Sequence, residues 1–279
     1  MKWPKFRQPW LQSDQPSTTD PFTIDVFGVT ARGLVRRQNQ DDFYVSEAPP
    51  FFMVADGLGG LQEGAVASYL AVQRATETLT LAWDKNRWAW HPYMGPRPDS
   101  NPSGIPELIV GKAFHRAHFD LLAVTGRSQM ITDMGTTLCL ALLDDRRIVY
   151  GNLGDSRVYL LRDRKLRCLT VDDTEAMPLL QRGEISKQAY ESHPLRNTLT
   201  KRLGGPESHL PSVKALELQS GDMILLCTDG LYGMIQEERI RVVLLNEGHD
   251  AKWKANQLLM LAELAGGEDN ISVVVAHLT

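Results

Sequence analysis

Two short apolar runs in the chain each end close to an Asp-Gly pair. The run Phe51–Ala55 leads directly into Asp56-Gly57-Leu58-Gly59-Gly60, and Met223–Cys227 leads through one threonine into Asp229-Gly230. Short runs rich in Phe, Val, Ile and Leu are typical of buried β-strands. Glycines after such a strand allow a sharp turn and let another group approach the backbone closely. The pattern predicts two strands that each deliver a carboxylate to a turn.

The rest of the chain alternates between strand-like runs and longer helical segments. Three helices are predicted where alanine and leucine recur without internal proline, over Glu63–Leu81, Pro106–Thr125 and Asp250–Leu264. Further strands are predicted by apolar runs between short polar turns, at Phe22–Thr30, Phe43–Val45, Thr137–Leu143, Arg147–Tyr150, Val158–Leu161, Leu166–Leu169, Val213–Leu218 and Ile271–Val275. Because no repeat or linker divides this series, we expect one domain over residues 22–279.

Three segments differ from this pattern. Residues 1–21 hold four prolines and many polar residues, which predicts a mobile N-terminal arm. Residues 82–105 form a long loop rich in tryptophan and proline, whose clustered aromatic residues favour a folded excursion over a free linker. Residues 173–205 are polar and interrupted, and we expect short helical pieces there.

Four aspartates share a position at a turn beside a strand. Asp155 follows a glycine between two strand-like runs, and Asp269 precedes the last strand, so both resemble Asp56 and Asp229. Each one alone fits an ordinary turn, where Asp and Gly are common. Together they indicate a site, because a carboxylate at the end of an apolar strand is costly unless it is paired or bound to metal. Oxygen ligands favour a hard cation such as Mg²⁺ or Mn²⁺ over zinc.

The composition is that of an ordinary globular protein, with 279 residues, 43% hydrophobic and 23% charged. A formal net charge of −4 argues against a nucleic-acid partner. Cys139, Cys168 and Cys227 lie in apolar runs and are odd in number, which predicts buried free thiols. No signal peptide begins the chain, and no apolar run reaches the roughly 18 residues of a membrane helix. We therefore expect a cytoplasmic protein without a membrane partner.

Several common catalytic motifs are incomplete. Gly59 and Gly64 have the spacing of a P-loop, but the lysine and hydroxyl residue that should follow are missing. The segment around Ser156 lacks the last glycine of a Gly-x-Ser-x-Gly elbow. His115 and His118 lie close together on a predicted helix, where we expect surface residues rather than zinc ligands.

A series of motifs resembles the PPM metal-dependent protein phosphatases, the type 2C serine/threonine phosphatases, in their compact bacterial branch. The motifs occur in the order of that family between about Phe22 and Thr279, as Arg32-Gly-Leu-Val-Arg36-Arg-Gln-Asn39-Gln-Asp41, Ala55-Asp56-Gly57-Leu-Gly59-Gly60, Met134-Gly135-Thr136-Thr137, Gly154-Asp155-Ser156-Arg157, Thr228-Asp229-Gly230 and Asp269-Asn270. Each motif alone is common, whereas six in order are highly specific.

The resemblance implies an α+β fold, a four-layer α-β-β-α sandwich in which helices flank two central antiparallel sheets. It also implies two Mn²⁺ or Mg²⁺ ions. Asp56 would bridge them, the carbonyl of Gly57 would bind the second, and Asp229 and Asp269 would complete the first. Asp155, together with Asp229, matches the ligands of a third, weaker ion.

The resemblance assigns the chemistry of phosphate hydrolysis to this site. Arg36 and Asp41 are the predicted catalytic residues, with Arg36 holding the phosphate of the substrate through its planar, permanently charged guanidinium. The implied activity is hydrolysis of phosphoserine and phosphothreonine in proteins, by a water between the two ions, in opposition to a bacterial Ser/Thr kinase. Two alternatives stay open, a non-catalytic phosphoprotein-binding module and another two-metal phosphoester hydrolase such as a phosphodiesterase.

Two positions depart from the family pattern. Leu58 stands where eukaryotic relatives carry a histidine proposed to protonate the leaving group, so we expect a metal-bound water to do so. Gln40 replaces a common glutamate that contacts metal-bound waters, which predicts weaker metal affinity. Residues 173–205 resemble the mobile flap of the family, and residues 82–105 resemble an insertion that could form a recognition lip. We expect a monomer.

Overall fold

The computed structural model describes residues 22–60, 63–84, 87–90, 92–95, 104–126 and 134–279. The arm predicted over residues 1–21 lies outside the described residues. The helices are α1 Glu63–Ala82, α2 Ile105–Thr125, α3 Met177–Gln181, α4 Lys187–Glu191, α5 Asp229–Tyr232, α6 Glu237–Leu244 and α7 Ala251–Leu264. The strands are β1 Ile24–Ala31, β2 Asp41–Glu47, β3 Pro50–Leu58, β4 Trp83–Asp84, β5 Arg87–Trp88, β6 Gly135–Thr136, β7 Leu138–Asp144, β8 Arg147–Leu153, β9 Arg157–Arg162, β10 Lys165–Cys168, β11 Ser212–Glu217, β12 Met223–Cys227 and β13 Ile271–Leu278.

The long strands form two antiparallel sheets. One has the order β1-β13-β12-β9-β10, and the other has the order β11-β8-β7-β3-β2, with β6 paired to the end of β3. Strands β7 and β8, like β9 and β10, are joined by tight turns whose residues Asp145, Asp163 and Arg164 have positive φ. Both are hairpins, in agreement with the short polar turns predicted between these strand-like runs.

Alternation along the strands explains the four layers. On β3, Phe51, Met53 and Ala55 pack against α1 and α2, while Phe52 and Val54 face the other sheet. Since successive side chains of a strand point to opposite faces, each sheet contributes to two cores. The remaining core lies between the sheet that contains β1, β13, β12 and β9 and the helices α5, α6 and α7. The predicted α-β-β-α sandwich is therefore confirmed.

The tryptophan-rich segment is folded where it is described. Trp88 is buried, contacts Phe51, and donates a hydrogen bond from Nε1 to the carbonyl of Leu143 at 2.7 Å. These partners lie at the end of the sheet far from Asp56, because Asp56 lies five positions after Phe51 on β3, or about 17 Å along the strand. The described part of this segment is thus anchored away from the candidate site.

Two expectations about single residues were wrong. His118 is buried rather than exposed, because it lies on the face of α2 that packs inward, and its Nδ1 accepts a hydrogen bond from the N–H of Gly204 at 3.3 Å. Cys168 is exposed rather than buried, because β10 is the edge strand of its sheet. Cys139 and Cys227 are buried and free, as expected.

Among the residues that the structure describes, no helix has the length and apolar character needed to cross a bilayer.

Candidate functional site

Antiparallel pairing gathers the predicted acidic residues at one end of the sandwich. The start of β2 lies beside the end of β3, so that Asp41 is the register partner of Asp56. In the other sheet the end of β12 lies beside the starts of β13 and β9. Asp229 follows β12, Asp269 precedes β13, and Asp155 precedes β9. Both sheets therefore contribute carboxylates to the same edge.

Asp41 links the two sheets through its side chain. Its Oδ2 accepts hydrogen bonds at 2.8 Å from the hydroxyls of Thr228 and Ser272, which belong to the opposite sheet or its edge. The residue is buried, and its other oxygen, Oδ1, has no hydrogen-bond partner. Asp41 thus joins the sheets while one carboxylate oxygen remains available in the interior of the site.

The backbone around Asp56 is fixed by two threonines. Its carbonyl accepts from the Thr137 N–H at 2.9 Å and from the Thr136 hydroxyl at 2.8 Å, and its N–H donates to the Thr137 hydroxyl at 3.0 Å. These bonds use the backbone groups of Asp56 and leave its side chain outside the ladder. The carboxylate is consequently held in a defined direction at the strand end.

The glycine turn after Asp56 is required by close packing. A Cβ on Gly57 would lie 2.0 Å from the carbonyl oxygen of Gly64 and 2.5 Å from that of Gln40. The N–H of Gly57 donates to that Gln40 carbonyl at 3.1 Å. No larger residue fits where α1 begins against the turn.

Arg36 and Asp269 form an ion pair at the mouth of the site. Nη2 of Arg36 lies 2.6 Å from Oδ2 of Asp269, with side-chain exposures of 54% and 30%. Hydrogen bonding to Asp269 raises the pKa of Arg36 further above its ordinary value. The other oxygen of Asp269 accepts from the backbone N–H of Asn270 at 2.8 Å. Arg36 is therefore a permanent, accessible cation beside the acidic cluster.

Burial and neighbouring charges raise the pKa values of four acidic residues of the site. Burial, followed by the charges of neighbouring aspartates, raises the pKa of Asp56 and of Asp155 well above the usual value. Burial raises the pKa of Asp41 to about 7 and that of Asp229 to about 6, with Asp269 adding to both. Such mutual effects require the five side chains to lie close together. A cluster of this kind favours a bound cation, which would reverse the local field.

The donors present fit a hard divalent ion, although no complete cage is formed. Within the part of the chain that the structure describes, no group of three or more Asp, Glu, His or Cys side chains is arranged to hold one ion. Asp269, which the resemblance assigns to the first ion, has both oxygens engaged. However, Oδ1 of Asp41 and Oδ1 of Asp229 are buried without partners. Unpaired buried carboxylate oxygens and a carbonyl at Gly57 are the donors that Mg²⁺ and Mn²⁺ prefer.

Asp155 lies beside a buried cationic anchor. The hydroxyl of Tyr232 donates to the Asp155 carbonyl at 3.0 Å, and the guanidinium of Arg157 lies 3.6 Å above the Tyr232 ring. Arg157 also forms a two-point ion pair with Asp172, with bonds of 2.9 and 2.6 Å. The hydroxyl of Tyr190 donates to Asp172 at 2.7 Å. Since Tyr190 belongs to α4 inside residues 173–205, this cluster ties the flap segment to the site.

Several functional partners were missed from the sequence. The hydroxyls of Thr228, Ser272 and Thr137 and the amide of Asn270 organise the acidic residues, yet they resemble ordinary strand-end residues in the sequence. The available signal for Thr228 and Asn270 was their position next to a predicted aspartate, for Thr137 its place in the motif Met134–Thr137, and for Ser272 its position two residues after Asn270. The prediction of short helical pieces in residues 173–205 is confirmed by α3 and α4.

Comparisons with known proteins agree with this geometry. Residues 35–255 match the family model described as protein phosphatase 2C. The chain is 31% identical over 257 residues to the serine/threonine phosphatase stp of Listeria monocytogenes, which covers 89% of this chain and 93% of that protein. It is 32% identical over 245 residues to the serine/threonine protein phosphatase PstP of Mycobacterium tuberculosis, covering 88% of this chain and 43% of the relative.

Solved structures show the same architecture. The crystal structure of the Mycobacterium tuberculosis serine/threonine phosphatase PstP/Ppp has a TM-score of 0.77 at 31% identity and covers 91% of this chain and 98% of that one. A structure of the catalytic domain of PstP in complex with 2 manganese ions has a TM-score of 0.76 at 29% identity, with coverages of 92% and 99%.

Proposed function

The chain belongs to the protein phosphatase 2C family, and on that premise we propose that it hydrolyses phosphoserine and phosphothreonine in proteins with two bound Mn²⁺ or Mg²⁺ ions. The observation that supports this most is the meeting of five aspartates from two sheets beside one exposed arginine, Arg36. The phosphorylated proteins would be substrates of a bacterial Ser/Thr kinase, and the enzyme would act as a monomer.

Four aspartates and the carbonyl of Gly57 would supply the metal donors. Asp56 would contact both ions, with the carbonyl of Gly57 on the second and with Asp229 and Asp269 on the first. Asp155, with Asp229, would hold a third and weaker ion. When bound, the ions supply a nucleophilic water at neutral pH and positive charge for the phosphoryl group.

Arg36 would bind the phosphate of the substrate. Its side chain is 54% exposed, and its present partner, Asp269, uses only one of its guanidinium nitrogens. A guanidinium offers several N–H donors in a fixed plane, which suits two oxygens of a phosphate. Asp41 would act by holding the hydroxyls of Thr228, which precedes the metal donor Asp229, and of Ser272, whose N–H donates to the Thr228 hydroxyl at 2.9 Å.

Gln40 and Leu58 are the two positions at which this chain departs from the family pattern. The side-chain nitrogen of Gln40 donates to the Gly60 carbonyl at 3.1 Å, so this residue supports the glycine turn. An amide carries no charge, and we propose that the missing carboxylate weakens metal affinity. Leu58 is half-buried and offers no proton at its position. A proton for the leaving group therefore has to come from another donor.

The proposal is tested by metal titration and by substrate choice. Calorimetry with Mn²⁺ should show binding to the wild type and at least tenfold weaker binding to Asp229→Asn, because a direct ligand charge is lost. Asp163→Asn is the matched control, since this residue lies in the β9–β10 turn with positive φ, which asparagine tolerates. A phosphopeptide should be hydrolysed with Mn²⁺ and not with excess chelator.

Three outcomes would overturn the proposal. Binding of a phosphopeptide without hydrolysis would indicate a sensing module. Preference for a phosphodiester over the phosphopeptide would indicate a different two-metal hydrolase. Equal hydrolysis with and without chelator would remove the role of the ions.

A further inference from the structure

Asn270 uses its whole side chain to hold two neighbouring segments. It is buried, and its Nδ2 donates hydrogen bonds of 2.8 Å to the carbonyls of Arg32 and of Gln38. Its Oδ1 accepts from the N–H of Gln40 at 2.8 Å. A carboxamide has two N–H donors and one carbonyl acceptor, so each polar atom of Asn270 is engaged.

The two carbonyls that Asn270 binds lie on either side of Arg36. They close residues 32–38 into a loop whose ends are joined by a single side chain. Inside this loop the N–H groups of Leu34 and Val35 donate to the Gly267 carbonyl at 2.8 and 3.3 Å. The loop is therefore attached to residues 267–270, the segment that also contains Asp269, the ion-pair partner of Arg36.

The third hydrogen bond of Asn270 reaches the glycine turn. The carbonyl of Gln40 accepts from the N–H of Gly57 at 3.1 Å and from the hydroxyl of Ser68 at 2.6 Å. Asn270 is thus one residue from Asp269, joined to the Arg36 loop at both ends, and two hydrogen bonds from Gly57. Among the residues that the structure describes, Asn270 therefore connects these three parts of the site through one side chain.

We propose that Asn270 is a positioning residue that sets the guanidinium of Arg36 relative to the acidic cluster, so that one phosphate group meets both. This inference rests on the proposed function. An amide is needed because Asn270→Asp would keep the shape while facing two carbonyl oxygens with negative charge. Asn270→Ser would be too short to bind both carbonyls at once.

The test is a double-mutant cycle with Arg36→Ala and Asn270→Asp, assayed with Mn²⁺ on a phosphopeptide. Arg36→Ala should raise KM and the inhibition constant of inorganic phosphate by about tenfold to a hundredfold, the range for a charged hydrogen bond. Asn270→Asp should raise both by about tenfold, with a smaller change in kcat. In the Arg36→Ala background, Asn270→Asp should raise KM and the phosphate inhibition constant by less than about a further twofold, since both residues act through the same contact with phosphate.

The controls separate positioning from general destabilisation. Leu258→Ala removes a buried side chain of α7 and should lower stability by about 2–5 kcal/mol without changing KM. Asn270→Ser is run in parallel, so that a folding defect of one variant leaves a second measurement. If the wild type is active, two results would overturn the inference. One is that Asn270→Asp raises KM by the same factor in the wild type and in Arg36→Ala, and the other is that Asn270→Asp lowers kcat alone. A wild type inactive on phosphoesters would instead overturn the proposed function, and this inference with it.

Discussion

Removal of the Arg157 guanidinium should release the flap segment, residues 173–205, from the body of the protein. We consider Arg157→Met, which keeps an apolar side chain of similar length. The change removes the two-point bond to Asp172, the 2.8 Å bond to the Tyr159 hydroxyl and the contact with the Tyr232 ring. Asp172 would remain buried, with the Tyr190 hydroxyl as a partner but without a cation.

The expected loss of stability follows from burial of the pair. The side chains of Arg157 and Asp172 are 13% and 3% exposed, so water can replace little of the lost interaction. Breaking a buried ion pair by removing one partner costs about 3–5 kcal/mol, mostly because the other charge stays buried.

A second arginine provides a matched control. Arg162 forms a two-point pair with Asp222, at 2.8 and 2.5 Å, with exposures of 16% and 2%. This pair lies at the opposite end of β9 and β12, far from the acidic cluster. Arg162→Met should therefore lower stability by a similar amount without affecting the flap segment.

The two variants are compared by urea denaturation and by hydrogen exchange. Both midpoints should fall by similar amounts. Amides of the flap segment, such as those of Glu175 and Thr200, which donate to Thr198 and Asp173 at 2.9 and 2.8 Å, should exchange faster only in Arg157→Met. Equal exchange of these amides in both variants would refute the argument that Arg157 anchors the flap segment.

Two further predictions concern stability. Burial raises the pKa of Asp42 to about 6, from an unfolded value near 4, so folding stability falls as pH rises from about 4 to about 6. Asp42→Asn should raise the free energy of unfolding at pH 7.5, and with it Tm, by up to about 3 kcal/mol before allowance for partial exposure of Asp42, and the gain should vanish at pH 4. The same gain in thermal melts at both pH values would contradict this reasoning. Gly57→Ala should cost about 3 kcal/mol or more, because the added Cβ would lie 2.0 Å from a backbone oxygen. Gly111→Ala in α2, where the added Cβ meets no atom within 4 Å, should instead stabilise the protein by about 0.5–1 kcal/mol. Urea denaturation in which Gly57→Ala is as stable as Gly111→Ala would contradict this reasoning.

Much of the fold could be predicted because the core strands coincide with continuous apolar runs in the sequence. Strand β12 and helix α1 differ from the predicted ranges by at most one residue at each end. Strand β2 begins at Asp41, two residues before the prediction, because its first two residues are acidic and look like a loop. The β-propensity of single residues is weak evidence at such strand ends, since pairing with β3 decides that Asp41 and Asp42 are part of the strand.

The candidate site could be predicted less completely. Aspartates at strand ends are visible in a sequence, but the hydrogen bond that joins Asp41 to Ser272 spans 231 positions. The role of Asn270 depends on three backbone groups that no pattern of side chains reveals. His118 was misassigned for the same reason, because a polar residue on a helix gives no sign of the backbone N–H it will bind.

The acidic cluster places a physical demand on the whole fold. Buried carboxylates that raise one another's pKa reduce the stability of the folded state at neutral pH, where the unfolded chain ionises freely. The carboxylates lie at strand ends, where the three apolar cores and the hydroxyls around Asp41 hold the backbone in place independently of the charges. A cation that binds only the folded chain adds stability in proportion to the logarithm of its concentration above Kd. The same residues that make the site costly to fold therefore favour a bound cation, because bound positive charge relieves the repulsion that raises the pKa of Asp56 and of Asp155.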